Sequence, residues 1–243
     1  MTRIDFVSVT MTYGKKNPVT ALRDFSASFS SGKIHVILGP SGSGKTTILR
    51  CVLGLDSPEK GTILFDKEDA NLFPTTERNF AYVSQRPNLY PHFSVYENIA
   101  LPLRRTLADA DELRYRVNQV AEMVGIQECL SRKPKDISLG QAERVMIAKA
   151  MIKKPNAYLF DEPCASLDPR RAEEIQYLLL RLFQENHPTV LYVTHSLQEA
   201  YRMADDYTYI ENGTCLAQGE LVSMQKNSDL RVREIFRHDD LLL

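Results

Sequence analysis

Two stretches of the chain carry residue types that could do chemistry on phosphate. Gly39-Pro40-Ser41-Gly42-Ser43-Gly44-Lys45-Thr46 satisfies G-x-x-x-x-G-K-S/T at every fixed position. Glycines let backbone N–H groups close around phosphate oxygens. A helix starting at Thr46 and Thr47 would aim its partly positive N-terminus at the same anion. Lys45 adds a mobile charge for the outer phosphates, and Thr46 a hydroxyl for Mg2+. The second stretch, Tyr158-Leu159-Phe160-Asp161-Glu162, is an apolar run that ends in two acids. A buried strand that releases two carboxylates at its C-terminal end puts them at the ligand-binding rim of an α/β sheet. Alone, such a pair would cap a helix or lie in a solvated turn. Beside a phosphate cradle, Asp161 reads as a ligand in the Mg2+ shell and Glu162 as the general base that polarises an attacking water. The expected chemistry is binding and hydrolysis of ATP.

The elements that must position these groups follow from the pattern. Runs rich in β-branched and aromatic residues predict strands at 4–9, 25–29, 34–38, 62–65, 80–83, 157–161, 189–194 and 207–210. The run 34–38 leads through the glycine turn into a helix start, the layout a phosphate cradle requires. Between 89 and 152 the texture changes. Residues 111–124 carry Leu113, Val117, Val120, Ala121 and Val124 at helical spacing, and 143–152 is helix-like with Pro155 just beyond. This predicts a small helical lobe, about 89–152, inserted into a strand-rich core. From about residue 227 a terminal helix and a short tail are expected, with no appended regulatory domain.

Composition narrows the classes. The 243 residues, 43% hydrophobic and 25% charged, suit one large α/β domain spanning 1–243 and argue against disorder. A net charge of -1 with no long basic run offers no electrostatic footprint for nucleic acid. Cys51, Cys129, Cys164 and Cys215 lack zinc-ligand or redox spacing, so four reduced thiols are expected. No run approaches the roughly 18 apolar residues that would cross a membrane, and the N-terminus has no signal-peptide pattern. Action at a membrane would need another protein to hold the chain there.

With these residues placed, the chain resembles the ATP-binding subunits of ABC transporters over about 3–219. Tyr13 stands where that family has an aromatic that stacks on adenine, and Gly39 to Thr47 form its phosphate loop. Gln85 matches a loop glutamine that senses Mg2+ and touches the membrane partner. Ile137-Ser138-Leu139-Gly140-Gln141 resembles the signature, continued by Arg144 and Ala148. Ala165-Ser166-Leu167-Asp168 resembles the loop that crosses a dimer interface. His195 matches the switch histidine on the γ-phosphate. The resemblance implies an α/β P-loop NTPase fold with a mostly parallel sheet, an N-terminal antiparallel β subdomain and an inserted α-helical lobe. It also implies ATP contacts from Ser138, Gly140, Gln141 and Asp168, catalysis by Glu162, His195 and Lys45, and Mg2+ held by Thr46, Gln85 and Asp161. One departure stands out: the signature has two adjacent glycines, and here the first is Leu139. Leucine is expected to add bulk and restrict the backbone there.

The same resemblance implies partners. A second ATPase subunit, the same chain or a different one, would close head to tail around two ATP molecules. Integral permease subunits would hold the pair at the cytoplasmic face of the membrane, and an extracytoplasmic solute-binding protein would feed them. Residues 90–98 resemble the stretch that receives a short cytosolic helix of the permease; without the resemblance, their aromatics would fill lobe core. The leading expectation is an importer for a small polar solute such as an amino acid or an oxoanion. An exporter or lipoprotein-release subunit, and a soluble ABC-type ATPase outside transport, remain alternatives. Nucleic acid is not an expected partner.

Overall fold

The computed structural model describes residues 2–14, 16–104, 106–184 and 187–237. The tail expected after the terminal helix therefore lies, from 238 on, outside the described residues. Among the described residues, ten strands and eight α-helices run in the order β1 Ile4–Tyr13, β2 Val19–Phe29, β3 Ile34–Leu38, α1 Lys45–Leu53, β4 Lys60–Phe65, β5 Glu68–Asp69, β6 Phe80–Val83, α2 Val95–Ala100, α3 Ala110–Met123, α4 Leu139–Met151, β7 Ala157–Asp161, α5 Pro169–Gln184, β8 Thr189–Thr194, α6 Leu197–Met203, β9 Asp206–Glu211, β10 Thr214–Gly219, α7 Leu221–Gln225 and α8 Leu230–Ile235.

The strands form two sheets. β2-β1-β4-β5 is antiparallel, and β10-β9-β3-β8-β7-β6 is parallel except for the β9–β10 pair. The fold is thus α/β with a mostly parallel sheet beside an N-terminal antiparallel one. β3, β7 and β8 are buried at every residue, which is why they read as unbroken apolar runs. Their side chains still alternate between faces. Ile37, Leu159, Leu191 and Val193 join a core with the antiparallel sheet and Ile48, Leu49 and Val52 of α1. Leu38, Phe160, Val190 and Tyr192 face the opposite core, with Ile99, Val117, Val145, Ile147, Leu179 and Met203 from the helices. Gln218 ties the two sheets together, accepting from Ser28 N–H at 2.9 Å while donating to the Ser28 carbonyl and to Thr208 Oγ1.

Several elements differ from the sequence expectation. α4 begins at Leu139 rather than at 143, because Ser138 caps it: its hydroxyl accepts from Gln141 N–H, and the Gln141 side chain accepts from Ser138 N–H. α5 follows an Asp–Pro start, with Asp168 Oδ1 accepting from Arg171 N–H at 3.2 Å. β10, α6 and α7 are also additional to the expected elements. No helix among the described residues is long and apolar enough to cross a membrane. All four cysteines are free thiols.

The helices between β6 and β7 include a turn set by one side chain. Asn98 on α2 is fully buried. Its Oδ1 accepts from Tyr90 N–H at 2.7 Å, and its Nδ2 donates to the carbonyls of Tyr90 at 3.1 Å and Ser94 at 2.9 Å. The segment 90–94 thereby holds Tyr90 and Phe93 together, their rings 5.5 Å apart. Asn98→Ala is expected to destabilise the protein by about 1–3 kcal/mol, because it removes a fully buried side chain that partners Tyr90 N–H and adds a second bond to the Tyr90 and Ser94 carbonyls. Tyr90→Ala, at a half-exposed ring, is expected to cost less than about 1 kcal/mol. Urea unfolding of the two variants checks the contrast.

Candidate active site

The site is assembled by the C-terminal ends of four neighbouring parallel strands. Across the sheet, in the order β3-β8-β7-β6, the residues that follow are the glycine loop, His195, Glu162 and Gln85. The ends are level, since Leu38 pairs with Thr194, Asp161 with Val193, and Val83 with Phe160. Chain segments more than a hundred residues apart therefore meet at one rim.

The glycine loop is constrained at both ends. A Cβ on Gly39 would lie 2.1 Å from the Ile210 carbonyl oxygen. Gly44 has φ +106°, and a Cβ there would lie 2.4 Å from the Ala21 carbonyl oxygen. Inside the loop, Ser43 is buried and its hydroxyl has no hydrogen-bond partner among the described residues. Lys45 Nζ donates to the carbonyls of Gly39 at 2.8 Å and Pro40 at 2.9 Å, and lies 3.9 Å from Glu162 Oε1. Burial pushes the Lys45 ammonium below its ordinary value, against the pull of Glu162 and Asp161. Pro40, Ser41 and Gly42 complete the turn, and Thr47 is buried in α1.

Asp161 sits at the last position of β7 and is itself buried. Thr46 Oγ1 donates to its Oδ1 at 3.0 Å and the Tyr82 hydroxyl to its Oδ2 at 2.9 Å. Burial raises the Asp161 carboxyl, opposed by those two hydroxyls. Thr46 and Asp161 thus present adjacent hard oxygens, a fit for Mg2+ completed by water and phosphate oxygens. Among the described residues no group of three or more His, Cys, Asp or Glu converges as a self-sufficient metal cage. Gln85 lies two residues beyond β6 on an exposed bend, with no hydrogen bond to Asp161. Tyr82 was not among the expected site residues. Its signal is positional, since it stands in the strand beside β7 and reaches the acid that ends it.

Glu162 has φ +47°, the left-handed region for a non-glycine residue. Its N–H donates to the Val193 carbonyl at 3.0 Å, and its Oε2 lies 3.1 Å from His195 Nδ1. A carboxylate and an imidazole in contact beside a phosphate cradle can accept and hold the proton of an attacking water. Tyr13 is half-buried at the end of β1. Its hydroxyl bonds the Asp56 carboxylate, which also accepts from Arg50 Nε at 2.6 Å.

The remaining residues expected to contact ATP lie elsewhere in this chain. Ser138, Gly140 and Gln141 form the N-terminal turn of α4. Gln141 is committed to the cap and also donates to Glu128 at 3.4 Å. Leu139 is 44% exposed, and a Cβ on Gly140 would meet nothing within 4 Å. Asp168 is exposed at the start of α5 and pairs with Arg171 at 3.3 Å. Among the described residues no hydrogen bond or ion pair joins Ser138, Gly140, Gln141 or Asp168 to the glycine loop.

Known proteins resemble this chain in sequence and in fold. Residues 22–165 match the family model described as ABC transporter. The chain is 37% identical over 219 residues to the trehalose/maltose import ATP-binding protein MalK of Thermococcus litoralis, covering 88% of this chain and 58% of that protein. It is 36% identical to the spermidine/putrescine import ATP-binding protein PotA of Aggregatibacter actinomycetemcomitans, covering 89% and 57%. It is 38% identical to the molybdate/tungstate import ATP-binding protein WtpC of Pyrococcus horikoshii, covering 82% and 58%. The chain thus spans less than two thirds of the length of these relatives. An ATP-binding cassette solved as a dimer in a post-hydrolysis state, bound to ADP and Pi, matches with TM-score 0.81 at 31% identity, covering 89% of this chain and 98% of that one.

Glu143, one turn into α4, is buried with neither carboxylate oxygen hydrogen-bonded among the described residues. Burial pushes its carboxyl up to about 7, against the pull of Arg171. The folded value lies above the unfolded one, so folding takes up a proton between them. Stability is then fully present below the unfolded value and falls as pH rises toward about 7. Glu143→Gln needs no proton. It is expected to be more stable than the parent by roughly 1–3 kcal/mol at pH 8, with the gap closing by about pH 5. Urea unfolding across that range checks it, and a gap independent of pH would contradict the assignment.

Proposed function

Because the chain belongs to the ABC transporter family, we propose that it binds and hydrolyses ATP to power import through a membrane permease. The observation that carries this reading is the convergence of the glycine loop, Thr46–Asp161 and Glu162–His195 on one sheet edge. The loop N–H groups and Lys45 bind the phosphates, with Lys45 exchanging its own carbonyl partners for phosphate oxygens. Thr46, Asp161 and Gln85 would hold Mg2+, which would supply charge neutralisation on the phosphates. Glu162 takes the proton of the attacking water, and His195 keeps the Glu162 carboxylate aimed and contacts the γ-phosphate. The Tyr13 ring stacks on adenine, with Asp56 fixing its hydroxyl.

Two such subunits, identical or different, close head to tail. The α4 start of one, Ser138 to Gln141 with Asp168 nearby, then completes the site of the other. Residues 89–152 move as a lobe within the single 1–243 unit. Its docking face is the pair Tyr90 and Phe93: Tyr90 is half-exposed, Lys149 Nζ lies 5.0 Å from its ring centroid, and Arg104 lies 5.6 Å from that of Phe93. The permease held there keeps the chain at the cytoplasmic face of the membrane, and an extracytoplasmic binding protein supplies the solute. That solute is small and polar, such as an amino acid or an oxoanion. The permease and binding protein select it, so no residue of this chain is assigned to it.

Glu162→Gln is expected to lose at least about 100-fold in turnover while keeping nucleotide affinity within about threefold, because only the proton acceptor is removed. It is also expected to accumulate as a closed dimer with Mg-ATP. Turnover, nucleotide titration and size-exclusion measurements test it, and turnover at the parent rate would place the base elsewhere.

Gly140→Asp is expected to abolish hydrolysis without unfolding the protein. Its Cβ enters open space, but its charge would face the partner's phosphate, where like charges repel strongly. Leu139→Gly is expected to preserve or raise the rate, at a stability cost of about 1 kcal/mol. ATPase rate against protein concentration, with thermal melting as the folding control, separates the outcomes. Full activity in Gly140→Asp would mean that the α4 start meets no nucleotide.

A further inference from the structure

The hydroxyl of Tyr192 is fully buried on β8, in a layer where a phenylalanine would fill the same space. It donates to Glu199 Oε2 on α6 at 2.9 Å and lies 3.5 Å from Cys164 Sγ, in the loop after β7. Those two elements carry the reacting pair. The loop begins with Glu162. The helix is entered through His195, whose flanks are fixed by Ser196 N–H donating to Thr194 Oγ1 at 3.0 Å and by Glu199 N–H donating to Ser196 Oγ at 3.3 Å. One hydroxyl therefore joins the element behind Glu162 to the element behind His195, which themselves meet at 3.1 Å.

This link is not the cheapest way to fill the core. Burying a hydroxyl against a carboxylate costs desolvation that an apolar pair would avoid. Burial pushes both groups above their ordinary values, Tyr192 far above. Packing alone gives no reason for a polar pair here, whereas a directional bond that fixes α6 against β8, with the Cys164 loop resting on the same hydroxyl, does.

We infer that Tyr192 and Glu199 are positioning residues, whose hydrogen bond sets the Glu162–His195 geometry for hydrolysis. The inference rests on the hydrolytic reading above. It acts through the direction of the bond and not through the charge on Glu199. An amide at 199 can still accept from the tyrosine, whereas a phenyl ring at 192 or a methyl group at 199 cannot make the bond.

The test measures ATP turnover and nucleotide affinity on the same preparations. Tyr192→Phe and Glu199→Ala are each expected to lower kcat about tenfold or more, with nucleotide Kd changed less than about twofold, because small misplacement of a reacting pair is costly while the cradle is untouched. The double variant is expected to fall no further than the worse single one, since both remove one interaction. Glu199→Gln is expected to restore most of the rate. If Tyr192→Phe fails to fold, Glu199→Ala, at a less buried position, reads the same link. Parent-like turnover in both single variants overturns the inference. So does nucleotide affinity that falls in step with turnover, or losses that multiply in the double variant. A parent chain that binds nucleotide but never hydrolyses it refutes the function reading instead, and does so before any variant is made.

Discussion

The pairing of Asp161 with Val193 and of Leu38 with Thr194 holds the rest of the site in place. In a parallel sheet neighbouring strands lie about 4.8 Å apart, so level strand ends deliver their next residues in a row. A slip of one residue would turn each side chain to the other face and carry Asp161 away from Thr46. The register is secured from both sides, because each face of the sheet is buried in its own core. The row of candidate residues is thus placed by the packing of two apolar faces, and the polar contacts along it refine that placement.

Those polar residues satisfy one another within the chain. Lys45 bonds to its own loop carbonyls, Thr46 and Tyr82 to Asp161, and His195 to Glu162. Burial works against two of these groups, lowering Lys45 and raising Asp161. A polyanion with a bound cation would offer Lys45 and Asp161 partners of opposite charge in place of neutral carbonyls and hydroxyls. The orphaned Ser43 hydroxyl belongs to the same logic: the loop holds polar capacity that this chain leaves unused.

Much of this ABC-type ATPase cassette was legible in sequence, for different physical reasons. β3, β6, β7 and β8 have bounds equal to those read from the sequence: β3, β7 and β8 are buried on both faces and carry a dense apolar signal, and β6, half-buried at the sheet edge, is a short run of aromatic and aliphatic residues. The glycine loop is legible because its backbone geometry admits few residue types. β10 was not, since its sequence Thr-Cys-Leu-Ala-Gln-Gly is only partly buried and pairs at an edge. α5 carried readable signals, an Asp–Pro start and apolar residues at helical spacing, and was not among the expected elements although Asp168 just before it was placed in a loop, where it lies. The Tyr82–Asp161 and Tyr192–Glu199 bonds lay beyond sequence, because each depends on which strand or helix becomes a neighbour.

Leu139 shows how structure changes the weight of a sequence departure. A second glycine was expected to matter for backbone freedom. Yet residue 139 is the first helical position of α4, and a helical backbone is one that leucine adopts without strain. The cap depends on Ser138 and Gln141 alone, and both of its bonds are present. The N–H groups at this helix start are therefore presented as they would be with glycine. What leucine adds is an exposed apolar side chain at the face where a closing partner would arrive. Its effect then depends on the partner's surface: a partner shaped for glycine meets a steric obstacle, whereas one with an apolar recess gains a contact. The departure bears on the choice of partner more than on the geometry of the bonds to phosphate.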